Sequence, residues 1–236
     1  RIHLAHHTRN IYATEKDGEY LAFPKAPAWE FFFFLLSGLV LPILSVVRFA
    51  VLAPISLVHP KLRYLVMKRA SSMGVRTIFT RELPTSKSEK VEWICYEVAC
   101  FIYVISIIAM MVTGILPLAF AIHWYALVAS VVTLNAIRAI GCTHLYQHDT
   151  KSPVSVEEQI LDFINLDARS LFTLIFCPVG TRYHGLHHIF PGIPYHSLKE
   201  AHRRIVGQIP KDAPYHRLEL PNIWRAWCKV VPRRGR

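Results

Sequence analysis

Two copies of one histidine pattern, each reading His-x-x-His-His, lie near opposite ends of this chain. The six residues are His3, His6, His7, His184, His187 and His188. Positions i, i+3 and i+4 lie on one face of a helix, so each copy could point three rings into one space. Neutral imidazole is a ligand for iron, zinc, copper or nickel, whereas calcium and magnesium prefer oxygen. The pattern therefore predicts a metal site of which each copy forms one wall.

The number of histidines favours two metal ions over one. Six imidazoles exceed what a single tetrahedral zinc ion accepts, and a redox metal at that count indicates iron and oxygen chemistry. A zinc metalloprotease would show His-Glu-x-x-His, and neither copy has a carboxylate between its histidines. His144, just beyond a hydrophobic stretch, is a seventh candidate ligand. His148 could be a ligand, a group supporting one or an exposed residue, and we expect it to be exposed.

The composition indicates a membrane protein. Hydrophobic residues make up 53% of the 236 positions, and the net charge is nevertheless +11. No Asp, Glu, Lys or Arg occurs from Val98 to Ile137. That stretch fits two spans of about 20 residues each. We therefore predict a transmembrane hairpin with helices at about 94–113 and 120–139 and a turn near Gly114.

The stretch 29–57 is also very apolar, but it contains Pro42, Pro54 and Arg48. A single crossing here would leave the two histidine copies on opposite sides of the bilayer. We therefore predict a re-entrant or interfacial helical pair that dips in and returns, with a two-pass hairpin as the alternative. The segment 61–79, and Trp224 with Trp227 near the end of the chain, are predicted to be amphipathic and to lie at the headgroups.

Charge and cysteine patterns complete this interpretation. Of the 27 Lys and Arg residues, 25 lie outside the hydrophobic stretches, which by the positive-inside tendency places both histidine copies on the cytoplasmic side. Because these basic patches flank apolar spans, anionic lipid headgroups are the expected partner, and nucleic acid is not. The five cysteines show no C-x-x-C spacing, and we expect no disulfide.

The chain resembles the membrane fatty acid desaturase superfamily, the di-iron oxidoreductases with histidine boxes. The matching segments are His3-x-x-His6-His7 followed by Asp17-Gly-Glu19-Tyr20, the segment His144-Leu-Tyr146, the segment 158–165, and the segment 182–198 around the last histidine box. The resemblance implies an all-α integral membrane protein with a transmembrane hairpin, interfacial helices and a cytoplasmic histidine-rich cap over a substrate tunnel. The metal ligands it implies are His3, His6, His7, His144, His184, His187 and His188.

The resemblance also implies a function. Two ferrous ions would bind and reduce O2, the co-substrate, and a double bond would be introduced into the acyl chain of a fatty acid or lipid. Hydroxylation of a lipid, alkane or carotenoid is one alternative, and a non-catalytic membrane protein that stores or senses metal is another. Electrons would come from a cytoplasmic cytochrome b5 or ferredoxin, and the enzyme would lie in a bacterial inner membrane or the endoplasmic reticulum.

Two departures from the family pattern set expectations about the chain itself. The family has an earlier box, His-x(3 or 4)-His, that precedes the first box seen here. We therefore expect residues 1–236 to form a single domain without that box and without the first membrane helices. Ile140 stands where acyl-CoA desaturases carry an asparagine, which argues against that subgroup. Asp162, Asn165 and Asp167 are candidates to orient the ligand imidazoles through their second ring nitrogen.

Overall fold

The structure, a computed structural model, describes residues 2–21, 23, 27–71, 79–148, 151–166 and 171–231. Helices dominate these residues, and the strands are two residues long each. The elements are α1 (Ile2–His6), α2 (Ala28–Val47), α3 (Ala53–Val58), α4 (Pro60–Arg69), α5 (Lys87–Val112), α6 (Leu118–Cys142), α7 (Val156–Asp162), β1 (Asn165–Leu166), α8 (Leu171–Phe176), α9 (His184–Ile189), α10 (Leu198–Gln208), β2 (Glu219–Leu220) and α11 (Ile223–Val230). The prediction of an all-α integral membrane protein is confirmed.

Within the described residues, three helical stretches are long and apolar enough to cross a membrane. They are Ala28–Val58, Lys87–Val112 and Leu118–Cys142. The last two are the predicted hairpin helices, extended by several residues at their outer ends. Ser86 caps the start of helix α5, and its side chain accepts a hydrogen bond from the backbone N–H of Glu89. It ends before Gly114, whose φ of +78° is the left-handed conformation that glycine adopts at little cost.

The first apolar stretch does not contain the predicted helical pair. The chain stays helical from Ala28 to Val58, with a π-helical turn at Arg48–Leu52. The re-entrant pair within 29–57 and its two-pass alternative are therefore wrong, because a proline bends a helix without reversing the chain. The reversal comes at His59, which is extended, and α4 then packs back against α3. The predicted amphipathic helix at 61–79 is helical to Arg69, and its residues 72–78 lie outside the described residues.

The chain divides into two compact units. The first unit comprises Arg1–Leu35 and Leu134–Arg236, and the second comprises Leu36–Thr133. In the second unit, the buried carboxylate of Glu97 bridges two guanidinium groups. It accepts from Arg48 Nη2 at 2.5 Å and also from Arg63 Nη1. Arg48 Nε donates to the carbonyl of Ala70 at 2.7 Å, which ties the end of α4 to the π-helical turn.

The first unit has a small core behind a short parallel ladder. Asn165 pairs with Glu219 and Leu166 with Leu220. Behind the ladder pack eight buried residues: Cys142, Leu145, Ile164, Leu166, Cys177, Leu220, Ile223 and Ala226. Cys142 and Cys177 form a disulfide, so the expectation of none is wrong. The two cysteines are 35 residues apart in sequence, and only the packing of these elements brings them together.

Candidate metal centre

Three separate segments of the first unit carry the predicted ligands. The first histidine box lies on and just after α1, and the last lies on α9. His144 follows α6 in an extended segment that bridges to Phe163. Backbone bonds from Leu145 N to the Asp162 carbonyl (2.7 Å) and from Ile164 N to the Thr143 carbonyl (3.0 Å) hold this segment in place. Distant parts of the chain are thereby fixed around one space.

All seven predicted ligands converge, in two groups that cut across the boxes. The main group is His6, His144, His184 and His188, and the second group is His3, His7 and His187. Within each group the possible ligand atoms all lie within 4.8 Å of one another. Each box gives its i, i+4 pair to one group and its middle histidine to the other. The stacked rings of His7 and His188, 4.1 Å apart at their centroids, connect the groups.

The spacing of the ring nitrogens fits metal coordination. The Nε2 atoms are 3.2 Å apart in the pair His6 and His144, 3.2 Å in His3 and His7, and 3.0 Å in His184 and His188. Two nitrogens that are each about 2.1 Å from a common ion lie roughly 3.0–3.4 Å apart. Among the described residues, both ring nitrogens of His187 are buried without a hydrogen-bond partner. A metal ion among the clustered imidazoles would give one of the two His187 nitrogens the partner that the protein does not supply.

The electrostatics keep most of these imidazoles neutral, as metal ligands must be. Burial lowers the pKa of His144, His184, His187 and His188. Burial and the neighbouring rings lower the pKa of His7 to about 4. His3 differs, because its hydrogen bond to Glu19 raises its pKa. His144, His184 and His188 of the main group are therefore held in the neutral form.

Two carboxylates set the orientation of the first box. Asp17 is fully buried, and its two oxygens lie 2.7 and 2.9 Å from Nδ1 of His6. Glu19 accepts from Nδ1 of His3 at 2.9 Å and is partly exposed. A proton on Nδ1 leaves the lone pair of Nε2 directed into the cluster. Sequence reasoning missed this role, although the Asp-x-Glu segment following the first box was the available signal.

The carboxylate and amide that the sequence suggested for this role do something else. Asp162 is buried and accepts from the hydroxyls of Tyr12 and Tyr20, each at 2.8 Å, and from the backbone N–H of Gln147 at 3.0 Å. The Asn165 side chain accepts from the backbone N–H of Leu186 at 3.1 Å. The prediction that these two residues orient imidazoles is therefore wrong, because their oxygens are used to fix the segments that carry the boxes. Asp167 lies outside the described residues.

His148 does not belong to either group. Its backbone N–H donates to the hydroxyl of Tyr20 at 3.0 Å, and its half-buried ring lies beside the ring of Tyr20. Tyr146, between it and His144, has a φ of +56°, which is strained for a residue with a side chain. The left-handed turn there lets the chain leave the histidine cluster directly after His144, so that the ring four positions later faces elsewhere.

Comparison with known proteins agrees with this geometry. A family model described as fatty acid desaturase matches residues 1–219, which is most of the chain. The chain belongs to the fatty acid desaturase family. The desaturase-family match includes every one of the seven clustered histidines. No solved structure matches the chain.

A curated relative of this desaturase-family chain is the ceramide hydroxylase of Caulobacter vibrioides (strain NA1000 / CB15N). The two are 31% identical over 225 residues, which cover 95% of this chain and 63% of the relative. The chain thus spans less than two thirds of the length of the curated relative that it matches. The two histidine groups of this chain could each hold a metal ion.

Proposed function

We propose that this chain carries the metal centre of an O2-dependent oxidoreductase that hydroxylates a ceramide-like membrane lipid. The observation that supports it best is the convergence of seven histidines into two groups with coordination spacing. The ceramide hydroxylase similarity suggests the reaction and the lipid. Two ferrous ions bound there would supply reduction of O2 and oxidation of an unactivated C–H bond. One oxygen atom would enter the lipid and the other would leave as water, with two electrons and two protons from a donor.

The residues of the chain have defined tasks in this proposal. His6, His144, His184 and His188 would hold one ion, and His3, His7 and His187 the other. Asp17 and Glu19 keep the protons of His6 and His3 on Nδ1, so that Nε2 is free to bind. Burial of His6 and His144 excludes water from the main group and so protects a reactive centre from side reactions.

Desaturation of an acyl chain is the second candidate, because the matching family model is that of the fatty acid desaturases. In that reaction a second hydrogen leaves from the neighbouring carbon, a double bond forms, and both oxygen atoms become water. The ligand set would be the same for both reactions. The products differ by one oxygen atom gained or two hydrogen atoms lost, which mass spectrometry separates directly.

The proposal includes a topology in which the histidine cluster faces the cytoplasm. The histidine cluster contains residues that precede the first candidate span and residues that follow the last one. An even number of spans must therefore cross the membrane. We assign α5 and α6 as the crossing pair. Gly38 of α2 contacts Thr133 of α6, and Arg48 bonds Glu97 of α5. Thr133 and Glu97 each lie about fifteen residues, or roughly 22 Å, from the α5–α6 turn. These contacts favour a first helix that lies across the hairpin, along the interface.

The electron donor in this proposal is a soluble or membrane-bound protein of the cytochrome b5 or ferredoxin type. The net charge of +11 would attract an acidic donor at the cytoplasmic face. The same charge suits anionic headgroups of a bacterial inner membrane or the endoplasmic reticulum.

The test is to express the gene that encodes this chain in cells, supply ceramides and free fatty acids separately, and analyse the lipids by mass spectrometry. We expect a ceramide with one added oxygen. Purified protein should bind two iron ions, and His184→Ala should lose product and at least one of them. His196→Ala is the matched control, since this exposed histidine lies next to α10 and outside both groups.

Each outcome discriminates between the candidates. A product with two fewer hydrogens would replace hydroxylation by desaturation. Zinc or copper in place of iron, together with unchanged lipids, would favour the non-catalytic metal-binding alternative. Unchanged iron binding in His184→Ala would reject the assignment of the main group.

A further inference from the structure

An apolar groove lies beside the start of α2 in the first unit. It has a volume of about 500 Å³ and is lined by Phe31, Leu35, Trp224, Trp227, Cys228 and Val231. The lining comes from two helices that are distant in sequence, α2 and α11. The volume is in the range of roughly 300–1,000 Å³ that small-molecule sites show. Its almost entirely apolar wall favours a hydrocarbon.

The position of the groove indicates where that hydrocarbon comes from. Phe31 and Leu35 belong to a helix apolar enough to span a membrane, and the next side chains around that helix, such as Phe32, are exposed. The groove is therefore continuous with a surface that contacts lipid. Acyl chains of the bilayer are the apolar molecules present there at the highest concentration.

Helix α11 has the composition of a helix that lies at the headgroups. Ile223, Ala226 and Val230 are buried toward the protein. Trp224 is 65% exposed, and tryptophan is enriched at membrane interfaces. Arg225 and Lys229 are exposed on the same helix and can reach phosphate or hydroxyl groups of a lipid headgroup. A lipid with its chain in the groove would thus have its headgroup near these two cations.

The wall of the groove also touches the helix that leads to the metal cluster. Trp227 Nε1 donates to the carbonyl of Ile137 at 3.3 Å. A Cβ added at Gly141 would lie 2.2 Å from the same indole nitrogen, so the ring is packed directly on the α6 backbone. His144, a member of the main group, follows Gly141 by three residues, just after the end of α6. The groove and the metal cluster are therefore neighbours on one short piece of chain.

We propose that this groove binds one hydrocarbon chain of a membrane lipid and is the lateral portal through which the substrate chain approaches the metal cluster. The portal role rests on the proposed function, whereas binding of a lipid chain does not. Glycine at position 141 is what allows Trp227 to form the inner wall. Trp224 and the two cations of α11 stand at the outer end.

The test uses a ceramide analogue with a photoreactive diazirine in its acyl chain, added to membranes that contain the full chain. After illumination, crosslinked residues are mapped by mass spectrometry. We expect the crosslinks to concentrate on Trp224, Cys228 and Val231. The substitution Val231→Trp fills the groove and should reduce the crosslinks on Trp224 and Cys228 roughly tenfold. Leu171→Trp, at a residue 73% exposed and outside the groove lining, is the matched control and should leave them unchanged.

A second measurement separates the groove from the metal chemistry. Val231→Trp should raise the KM for the lipid while iron content and kcat stay within twofold of the wild type. A second filling variant, Leu35→Trp, should behave in the same way, which covers the case that one variant fails to fold. Groove crosslinks in a protein without oxidised product would support chain binding and overturn the portal role alone. Crosslinks spread evenly over exposed residues of α2 and α8, and insensitive to both filling variants, would overturn the proposal.

Discussion

Replacing Asp17 by asparagine exchanges one oxygen for an NH2 group at a fully buried carboxylate beside the clustered histidines. In the native chain both oxygens of Asp17 face Nδ1 of His6, and each also accepts from a backbone N–H, of Ala13 or of Glu19, at 3.0 Å. The NH2 group of asparagine therefore has to face a donor whichever way it is turned. An unpaired buried donor of this kind costs about 1–3 kcal/mol.

The imidazole can relieve its own part of this conflict by changing tautomer, although one backbone N–H still faces the NH2 group. If His6 moves its proton to Nε2, Nδ1 can accept from the asparagine, but Nε2 then no longer offers a lone pair to a metal. Loss of such a supporting group lowers metal affinity by roughly 10–100-fold, which is about 1.4–2.8 kcal/mol. We therefore expect Asp17→Asn to lower the affinity for one of the two bound ions by this factor. The second group, which contains no atom of His6, should bind as before.

The assay is an anaerobic titration of the metal-free protein with Fe2+ against a competing chelator. Glu19→Gln is the matched comparison, because Glu19 supports His3 in the second group and both side chains are partly exposed. Glu19→Gln should lower the affinity for the other ion by a smaller factor, because an exposed ion pair contributes little free energy. The melting temperature of each metal-free variant shows whether the fold is intact. Wild-type affinity at both sites in a folded Asp17→Asn protein would refute the reasoning.

Three further predictions test other parts of the structure. Burial keeps the folded-state pKa of His144 below its unfolded value, so the unfolded chain binds protons first as the pH falls below about 6.5. The melting temperature of the metal-free chain should therefore drop between pH 7 and pH 5, and a constant value would contradict this. Glu97→Gln leaves two arginines without their buried carboxylate and should lower the free energy of unfolding by about 3–5 kcal/mol. The measurement is the melting temperature in detergent, which should fall. Gly141→Val should displace Trp227 and lower the melting temperature. Gly207→Ala is the control, because nothing lies within 4 Å of the added Cβ, and it should leave the melting temperature unchanged. Equal effects of the two substitutions would contradict the close packing of Trp227 on Gly141.

Features that depend on neighbouring residues could be predicted from the amino-acid order. The spacing i, i+3, i+4 identifies His184, His187 and His188 as one helical face, and α9 carries them as a single short helix. The absence of charge from Val98 to Ile137 locates two membrane helices, because hydropathy acts locally. The six histidines of the two boxes follow from residue type and spacing in the same way, whereas His144 follows from its position just beyond an apolar stretch.

The way in which these pieces combine depends on contacts between segments that are far apart in the chain. The middle histidine of each box joins the group opposite to its own i, i+4 pair, which depends on the relative placement of α1, α9 and the segment after α6. Asp17 supports an imidazole and Asp162 supports two tyrosines, although both are buried aspartates. The disulfide between Cys142 and Cys177 and the chain reversal at His59 also depend on the tertiary structure. In each case the outcome is set by packing between segments far apart in the chain, which no local pattern records.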